Sequence, residues 1–201
     1  RLLEALASPS SVDPEGNSPL LLASQRGRAD AVRALLEFRA GPDARNTEGV
    51  PALALASGAG HLVVARQLLD AAAQIDACDE QGGTALIWAA AAGRSHVVRL
   101  LLERSASLTH EDSSGASALI WAASEGYQGS ILALLEARAE VNSADANGCS
   151  ALSWAAGHGH ESVARTLVEA RADPEKLDSA GISPAAWAAE EGFGEQILGV
   201  L

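Results

Sequence analysis

A few side chains of this 201-residue chain are of types that could hold a metal ion. The segment His158-Gly159-His160-Glu161 carries imidazole and carboxylate groups, which are common zinc ligands. His160, however, occupies the same position of a repeated pattern as His61, and His158 falls at a position that varies from repeat to repeat. We therefore expect both histidines to be structural and predict no metal site.

The remaining candidates for catalysis are equally weak. Ser57, Gly58 and Gly60 faintly resemble a phosphate-binding loop, but no lysine follows them. Cys149 would need a base and an orienting group to act as a nucleophile, and the sequence identifies neither. Adjacent acids lack the spacing of a calcium loop: Asp79-Glu80, Glu111-Asp112 and Glu190-Glu191. We predict that the chain is not an enzyme and binds no cofactor.

Composition and charge narrow the class of partner. Apolar residues make up 48% and aromatic residues only 3% of the chain, and the abundance of Ala and Leu favours closely packed helices. Residues 1–100 hold 11 acidic and 9 basic side chains, whereas residues 101–201 hold 15 acidic and 5 basic ones. This acidic second half disfavours nucleic acid and anionic membranes and favours a basic partner. No apolar run is long enough for membrane insertion. The two cysteines, Cys78 and Cys149, are widely spaced, and we therefore expect free thiols and an intracellular, cytoplasmic location, with the organelle left open.

A period of 33 residues organises the whole chain. A first glycine series recurs at this interval, and a second series follows each member by 11 residues, as in Gly82 and Gly93. All four tryptophans stand six residues after a first-series glycine, where the two earlier repeats have Leu22 and Leu55. We interpret the tryptophans as filler between stacked repeats, and a row of rings that stack on a ligand is the alternative.

The residues within one period resemble the ankyrin repeat family. The segment from Asp79 to Ala90 is similar to the opening of an ankyrin repeat, and the segment from Gly60 to Leu69 is similar to its second helix. The resemblance implies an all-α solenoid of stacked helix-turn-helix units with protruding, β-hairpin-like turns. We divide the chain into the end of a preceding repeat (1–12), five repeats (13–45, 46–78, 79–111, 112–144 and 145–177) and a partial repeat (178–201).

The chain departs from this family at two positions of each unit. The family usually has histidine after the Thr-Pro-Leu of the first helix, and here that position holds Ile87, Ile120 and other residues. We therefore expect the units to cohere more by apolar packing and less by side-chain hydrogen bonds. The family favours glycine after the second helix, where this chain has Ala72 and Arg138 among others, so that either the helix ends differently or a non-glycine residue adopts a positive φ.

The resemblance implies that a partner docks on the turn tips and on the inner face of the first helices. The middle of this face is small and uncharged, whereas its far end is polar and acidic. We predict a partner with an apolar stretch followed by basic residues, its basic end nearest Glu190 and Glu191. The residues predicted to bind the partner are Val50, Gly58, Ala59, Gly83, Ala91, Ala92, Ala116, Ser124, Glu125, Cys149, His158, Ile182, Glu190 and Glu191.

The function predicted from the sequence is a non-catalytic scaffold or adaptor that binds another protein on its concave face. An architectural spacer within a larger assembly is an alternative, and so is an array that regulates an enzyme or channel encoded outside this segment. Apolar residues lie at both ends, from Leu2, Leu3 and Leu6 to Ile197, Leu198 and Val200. We therefore expect further repeats or subunits at each end.

Overall fold

The computed structural model describes residues 11–201, which form paired helices joined by short turns. The expectations for Leu2, Leu3 and Leu6 lie outside the described residues. Within them, the first helices of successive units are α1 (Pro19–Gln25), α3 (Ala52–Ala59), α5 (Ala85–Ala91), α7 (Ala118–Ser124), α9 (Ala151–Gly157) and α11 (Pro184–Glu190). The second helices are α2 (Ala29–Glu37), α4 (Leu62–Asp70), α6 (Ser95–Glu103), α8 (Gln128–Glu136), α10 (Glu161–Glu169) and α12 (Gly194–Ile197). The predicted all-α solenoid is confirmed.

The turns between units are short hairpins. An isolated antiparallel bridge closes four of them, as between Cys78 and Thr84 and between Glu111 and Ser117. The residue that ends the hairpin then begins the first helix. Thr84 and Ser117 each cap that helix by accepting a hydrogen bond from the backbone N–H three residues later, at 3.3 and 3.4 Å. The first helices of these units therefore begin at a hydroxyl side chain that satisfies one of their free N–H groups.

The second helices end in a repeated backbone motif. After α4, the N–H of Ala72 donates to the carbonyl of Leu69 and the N–H of Ala73 donates to that of Leu68, at 3.0 and 2.9 Å. This pair of bonds is the Schellman motif, which requires a left-handed residue at Ala72. Its φ is 63°, and the equivalent residues of the other units have φ between 63° and 69°: Arg39, Ser105, Arg138 and Arg171. The second alternative drawn from the sequence, a non-glycine residue at positive φ, is confirmed.

The helices form two layers with the core between them. First helices contact first helices of the neighbouring units, and second helices do the same. In the first five units, a leucine of the first helix and a leucine of the second helix recur at the 33-residue period and fill the space between the layers, and each is at most 5% exposed: Leu20, Leu53, Leu86, Leu119 and Leu152, and Leu35, Leu68, Leu101, Leu134 and Leu167. Because one unit leaves half of this surface uncovered, the apolar stabilisation arises from stacking.

Side-chain hydrogen bonds also join the units, in addition to the apolar packing on which we expected their cohesion mainly to rest. The ring Nε2 of His160 lies 2.9 Å from the carbonyl oxygen of Ser124 in the preceding unit, and His61 makes the same contact with Gln25 at 3.0 Å. The position after the family's Thr-Pro-Leu holds no histidine in this chain. In these units, a histidine at the start of the second helix makes a bond between units instead. These rings require a glycine opposite them, because a Cβ on Gly126 would lie 2.6 Å from Nδ1 of His160.

The tips of the hairpins are linked by a backbone ladder. The N–H of Glu80 donates to the carbonyl of Glu48, and the N–H of Ser113 donates to that of Gln81, at 3.2 and 2.8 Å. The same bond joins the other described tips, because the donor and the acceptor occupy equivalent places in units of equal length. The ladder fixes the hairpins side by side and so holds one wall of the groove described next.

Candidate partner-binding groove

The four hairpins from Asp79 onward, which border the groove, each begin with an aspartate. In Asp112, Oδ1 accepts hydrogen bonds from the backbone N–H groups of Ser114 and Ala116, at 2.9 and 3.0 Å. Asp79 makes the equivalent bonds to Gln81 and Gly83, at 3.0 and 2.7 Å. A short carboxylate side chain suits this role because it satisfies the donors of its own turn. Bonds within the hairpin thus determine its shape, and the carboxylate of the aspartate remains beside the first helix.

The second carboxylate oxygen of these aspartates binds a tryptophan of the same unit. The indole Nε1 of Trp88 donates to Oδ2 of Asp79 at 2.8 Å, and that of Trp121 donates to Oδ2 of Asp112 at 2.7 Å. Trp154 pairs with Asp145 and Trp187 with Asp178 in the same way. A half-buried indole needs an acceptor for its N–H group, and nine residues separate each donor from its acceptor. Each pair joins the hairpin to the first helix.

The tryptophans are half-buried rather than fully enclosed. The rings do fill space between units, as predicted, and Trp121 and Trp154 pack against the hydrophobic core. Each ring also leaves part of its surface on the groove, because its bond to aspartate holds the indole N–H edge toward the hairpin. Sequence reasoning missed the pairs, although an aspartate nine residues before every tryptophan was the available signal.

Small residues of the preceding unit make room for the rings. A Cβ on Gly58 would lie 3.0 Å from Cε3 of Trp88, and a Cβ on Gly157 would lie 2.7 Å from Cε3 of Trp187. In the sequence, Ala91 and Ser124 stand at the equivalent places before the other two tryptophans. The small middle of the groove is thus partly a packing requirement of the tryptophans.

Two neighbouring cavities lie between the hairpins and the first helices. The first has a volume of about 400 Å³, and Trp88, Trp121 and both of their partner aspartates line it together with Ala91 and Ala92. The second has a volume of about 290 Å³, and Trp121, Trp154, Asp145 and Ser124 are among its lining residues. Trp121 is the wall common to both. Further along, Trp154 and Trp187 contact each other, with ring centroids 5.9 Å apart.

The structure separates the predicted binding residues into three groups. Half-buried along the groove are Gly58, Ala59, Ala91, Ala92, Ser124 and Ile182. Exposed near its acidic end are Glu125, His158, Glu190 and Glu191. Buried are Val50, Gly83, Ala116 and Cys149.

The buried group is a correction to the predicted surface. The backbone N–H of each of these residues donates to the amide or carboxylate oxygen at the start of its hairpin, as Val50 does to Asn46 at 2.9 Å. This bond turns the side chain under the hairpin, so that Val50 and Cys149 are each only 3% exposed. Gly83 and Ala116 still line the cavities, Gly83 the first and Ala116 the second.

The aspartates of the groove form no ion pair with a cation of the described residues. The four ion pairs of the described residues involve other carboxylates: Asp30, Asp70, Glu136 and Glu161. Burial of the Asp112 carboxyl would by itself raise its pKa, but hydrogen bonds from Ser114, Trp121 and Ala116 outweigh this and hold it below the usual 3.8. For Asp178, the bond from the N–H of Ile182 is the main cause of a lowered pKa, followed by that from Trp187. The groove therefore carries negative charge at neutral pH.

His158, His160 and Cys149, which were considered for metal binding or catalysis, make contacts within the array. The His158 ring packs against Trp154, with centroids 5.5 Å apart, and His160 binds the carbonyl of Ser124. Burial, with the charges of Asp145 and Asp178, raises the pKa of the Cys149 thiol to about 11, so that it stays protonated at neutral pH. In residues 11–201, no three side chains of His, Cys, Asp or Glu are grouped as a metal ion would require.

Comparisons with known proteins agree with this geometry. A family model described as three copies of the ankyrin repeat matches residues 1–79 and 71–145, and a single ankyrin repeat matches residues 147–179. A search of curated proteins found no match. Over the part of the chain that the structure describes, no helix combines the length and apolar character needed to cross a membrane.

Proposed function

Because the chain belongs to the ankyrin repeat family, whose arrays are generally protein-interaction modules, we propose that it binds a segment of another protein in the groove. The observation that carries the proposal is the pair of adjoining cavities walled by Trp88, Trp121 and Trp154. Half-exposed aromatic rings beside small residues are typical of surfaces that bind protein segments. The groove acts by binding, without a catalytic step.

The proposed partner segment has an apolar part and a basic part. The apolar part lies against Ala91, Ala92 and the tryptophan rings, where the lining of the first cavity is mostly apolar. The basic part lies toward the exposed Glu125, Glu190 and Glu191. Opposite charge at this end sets the direction of the segment and speeds its encounter with the array.

Affinity capture with charge-reversed variants tests the proposal. Replacement of Glu125, Glu190 and Glu191 with Arg should reduce the yield of the dominant captured partner at low salt. The matched control replaces Glu37, Glu103 and Glu169, which are exposed at the ends of second helices, and makes the same change in net charge. Equal loss in both variants, or undiminished capture by the groove variant, would rule out docking in this direction.

An architectural spacer within a larger assembly is the competing function. A spacer would be captured with neighbouring subunits whose binding does not depend on the groove. The same pair of variants therefore distinguishes the two functions, because neither substitution set touches the terminal apolar residues.

A further inference from the structure

The two cavities present the same chemistry one unit apart. Each lies between consecutive tryptophans, and each has a turn aspartate in its lining: Asp79 and Asp112 in the first, Asp145 in the second. The carboxylates are held beside the rings by their bonds to the indole N–H groups. The sequence predicted acidic residues only at the far end of the groove, near Glu125 and Glu190, whereas the structure also places carboxylates in its middle.

No cation of the described residues neutralises these carboxylates by an ion pair. Arg94 approaches the first cavity, but its Nε–H donates to the carbonyl oxygen of Gly58 at 3.0 Å. Each of these aspartates accepts three or more hydrogen bonds, all from neutral groups. An aromatic face beside an unpaired carboxylate attracts a cation both through the ring quadrupole and through the charge.

We propose that the two cavities receive two arginine side chains of the partner segment, spaced three residues apart. An arginine meets both requirements of the groove, because its methylene stem packs on Ala91, Ala92 or Ile120 while its planar guanidinium stacks on an indole ring. This inference rests on the proposed binding of a segment in the groove and refines it: the apolar contact with Ala91 and Ala92 is made by the methylene stem of an arginine, whose charged head lies toward the carboxylates.

The spacing follows from the period of the array. Neighbouring helices of one layer pack about 10 Å apart, so equivalent points of the two cavities are separated by a similar distance. A segment in the polyproline II conformation advances about 9 Å in three residues and returns to the same face. A β-strand instead returns to the same face after about 7 or 13 Å. A three-residue interval in an extended, polyproline-like segment therefore fits consecutive cavities.

The number of sites is limited to two by the structure. Trp154 and Trp187 are in contact, and the ring of Trp187 also packs over Gly157. The surface between these two rings is thus already covered. At the other end, Leu55 replaces tryptophan and Asn46 replaces the turn aspartate, so that both the ring and the charge are lost.

Peptide binding tests the inference. The probe is a short acetylated peptide of Pro, Ala and Ser that carries two arginines three positions apart, and its Kd is measured by calorimetry at low salt. One comparison peptide has the same composition with the arginines two positions apart. Another carries citrulline, a neutral isostere, in place of both arginines. We expect each change to weaken binding by about tenfold or more.

Variants of the chain supply the second arm of the test. Trp121→Leu removes the wall common to both cavities, and Asp112→Asn removes a charge, and each should weaken the arginine peptide by about tenfold. Leu55 and Asn46 occupy these positions in another unit, so the fold accommodates both replacements. The control Glu103→Gln removes one negative charge at the exposed end of a second helix, outside both cavities, and should leave the affinity unchanged.

The outcomes separate this inference from the proposed function. If all three peptides bind equally and lose affinity with Trp121→Leu, segment binding in the groove stands and the arginine rule is overturned. If the peptides bind undiminished to Trp121→Leu and to the Glu125, Glu190 and Glu191 charge reversal, the groove is not the binding site and both ideas fail. Failure of the arginine peptide to bind the wild-type chain overturns the inference, and partner capture then decides the function independently.

Discussion

The left-handed residue after each second helix gives a sharp test of how this array is stabilised. Ala72 has φ of 63° and is exposed, and the bonds of its Schellman motif come from the backbone alone. Its methyl group therefore contributes little packing while its Cβ makes the left-handed conformation unfavourable. We predict that Ala72→Gly stabilises the protein. The neighbouring Ala71, with φ of −85°, provides the matched control.

The magnitude follows from two opposing terms. A non-glycine residue in the left-handed region costs about 1–2 kcal/mol, and the extra freedom of glycine in the unfolded chain costs about 0.5–1 kcal/mol. Ala72→Gly should thus gain about 0.5–1 kcal/mol, whereas Ala71→Gly should lose about 0.5–1 kcal/mol or slightly more. Since the change in the unfolded chain is the same in both variants, their difference measures the left-handed penalty itself.

Urea unfolding followed by circular dichroism is the appropriate assay. With an m-value of about 2–3 kcal/mol per molar urea, the midpoint should rise by roughly 0.3 M for Ala72→Gly and fall by a similar amount for Ala71→Gly. The slope of the transition should stay the same in both. A midpoint that falls in both variants would refute the reasoning, because it would mean that the left-handed position carries no strain.

Two further predictions concern the ionisable groups. The pKa of Asp112 is lowered in the folded protein, so its charge stabilises the fold above the ordinary value of 3.8, and this contribution is lost as the pH falls through the folded pKa. Asp112→Asn should therefore destabilise the protein more at pH 7 than at pH 2.5 in urea unfolding, and equal destabilisation at both would contradict the assignment. The pKa of Cys149 is raised to about 11, so its thiol should be poorly reactive in the folded protein. In a Cys78→Ala variant, the remaining thiol should react with iodoacetamide at pH 8 much more slowly than after unfolding. Equal rates would show that neither burial nor the neighbouring carboxylates protect it.

The local sequence determined the helices of this protein. Thr84 caps a first helix, Gly93 follows the end of that helix in the left-handed conformation, and Glu103 is the last residue of the second helix. Caps, left-handed residues and apolar periodicity act over a few residues, which is why a linear pattern reveals them. The period of 33 then implied stacking, because no single unit can cover its own apolar surface.

The sequence predicted only some of the residues that line the groove. The small residues Gly58 and Ala91 and the exposed Glu190 were identified by their place in the period. The burial of Cys149 was not, because it depends on the direction in which a hairpin bond turns the side chain. A period assigns a residue to a position in the unit but does not say which way its side chain faces.

The position of the tryptophans at the groove depends on contacts that form only in the folded array. In the sequence, Trp121 is a large apolar residue in a helix, and burial in the core is the reasonable expectation. The fold brings Asp112 back beside it, so that the indole N–H finds an acceptor and the ring remains at the surface of the groove. The repeated unit and its stacking thus follow from local pattern and period, whereas the cavities and their charge arise only when hairpins and rings of neighbouring units meet in space.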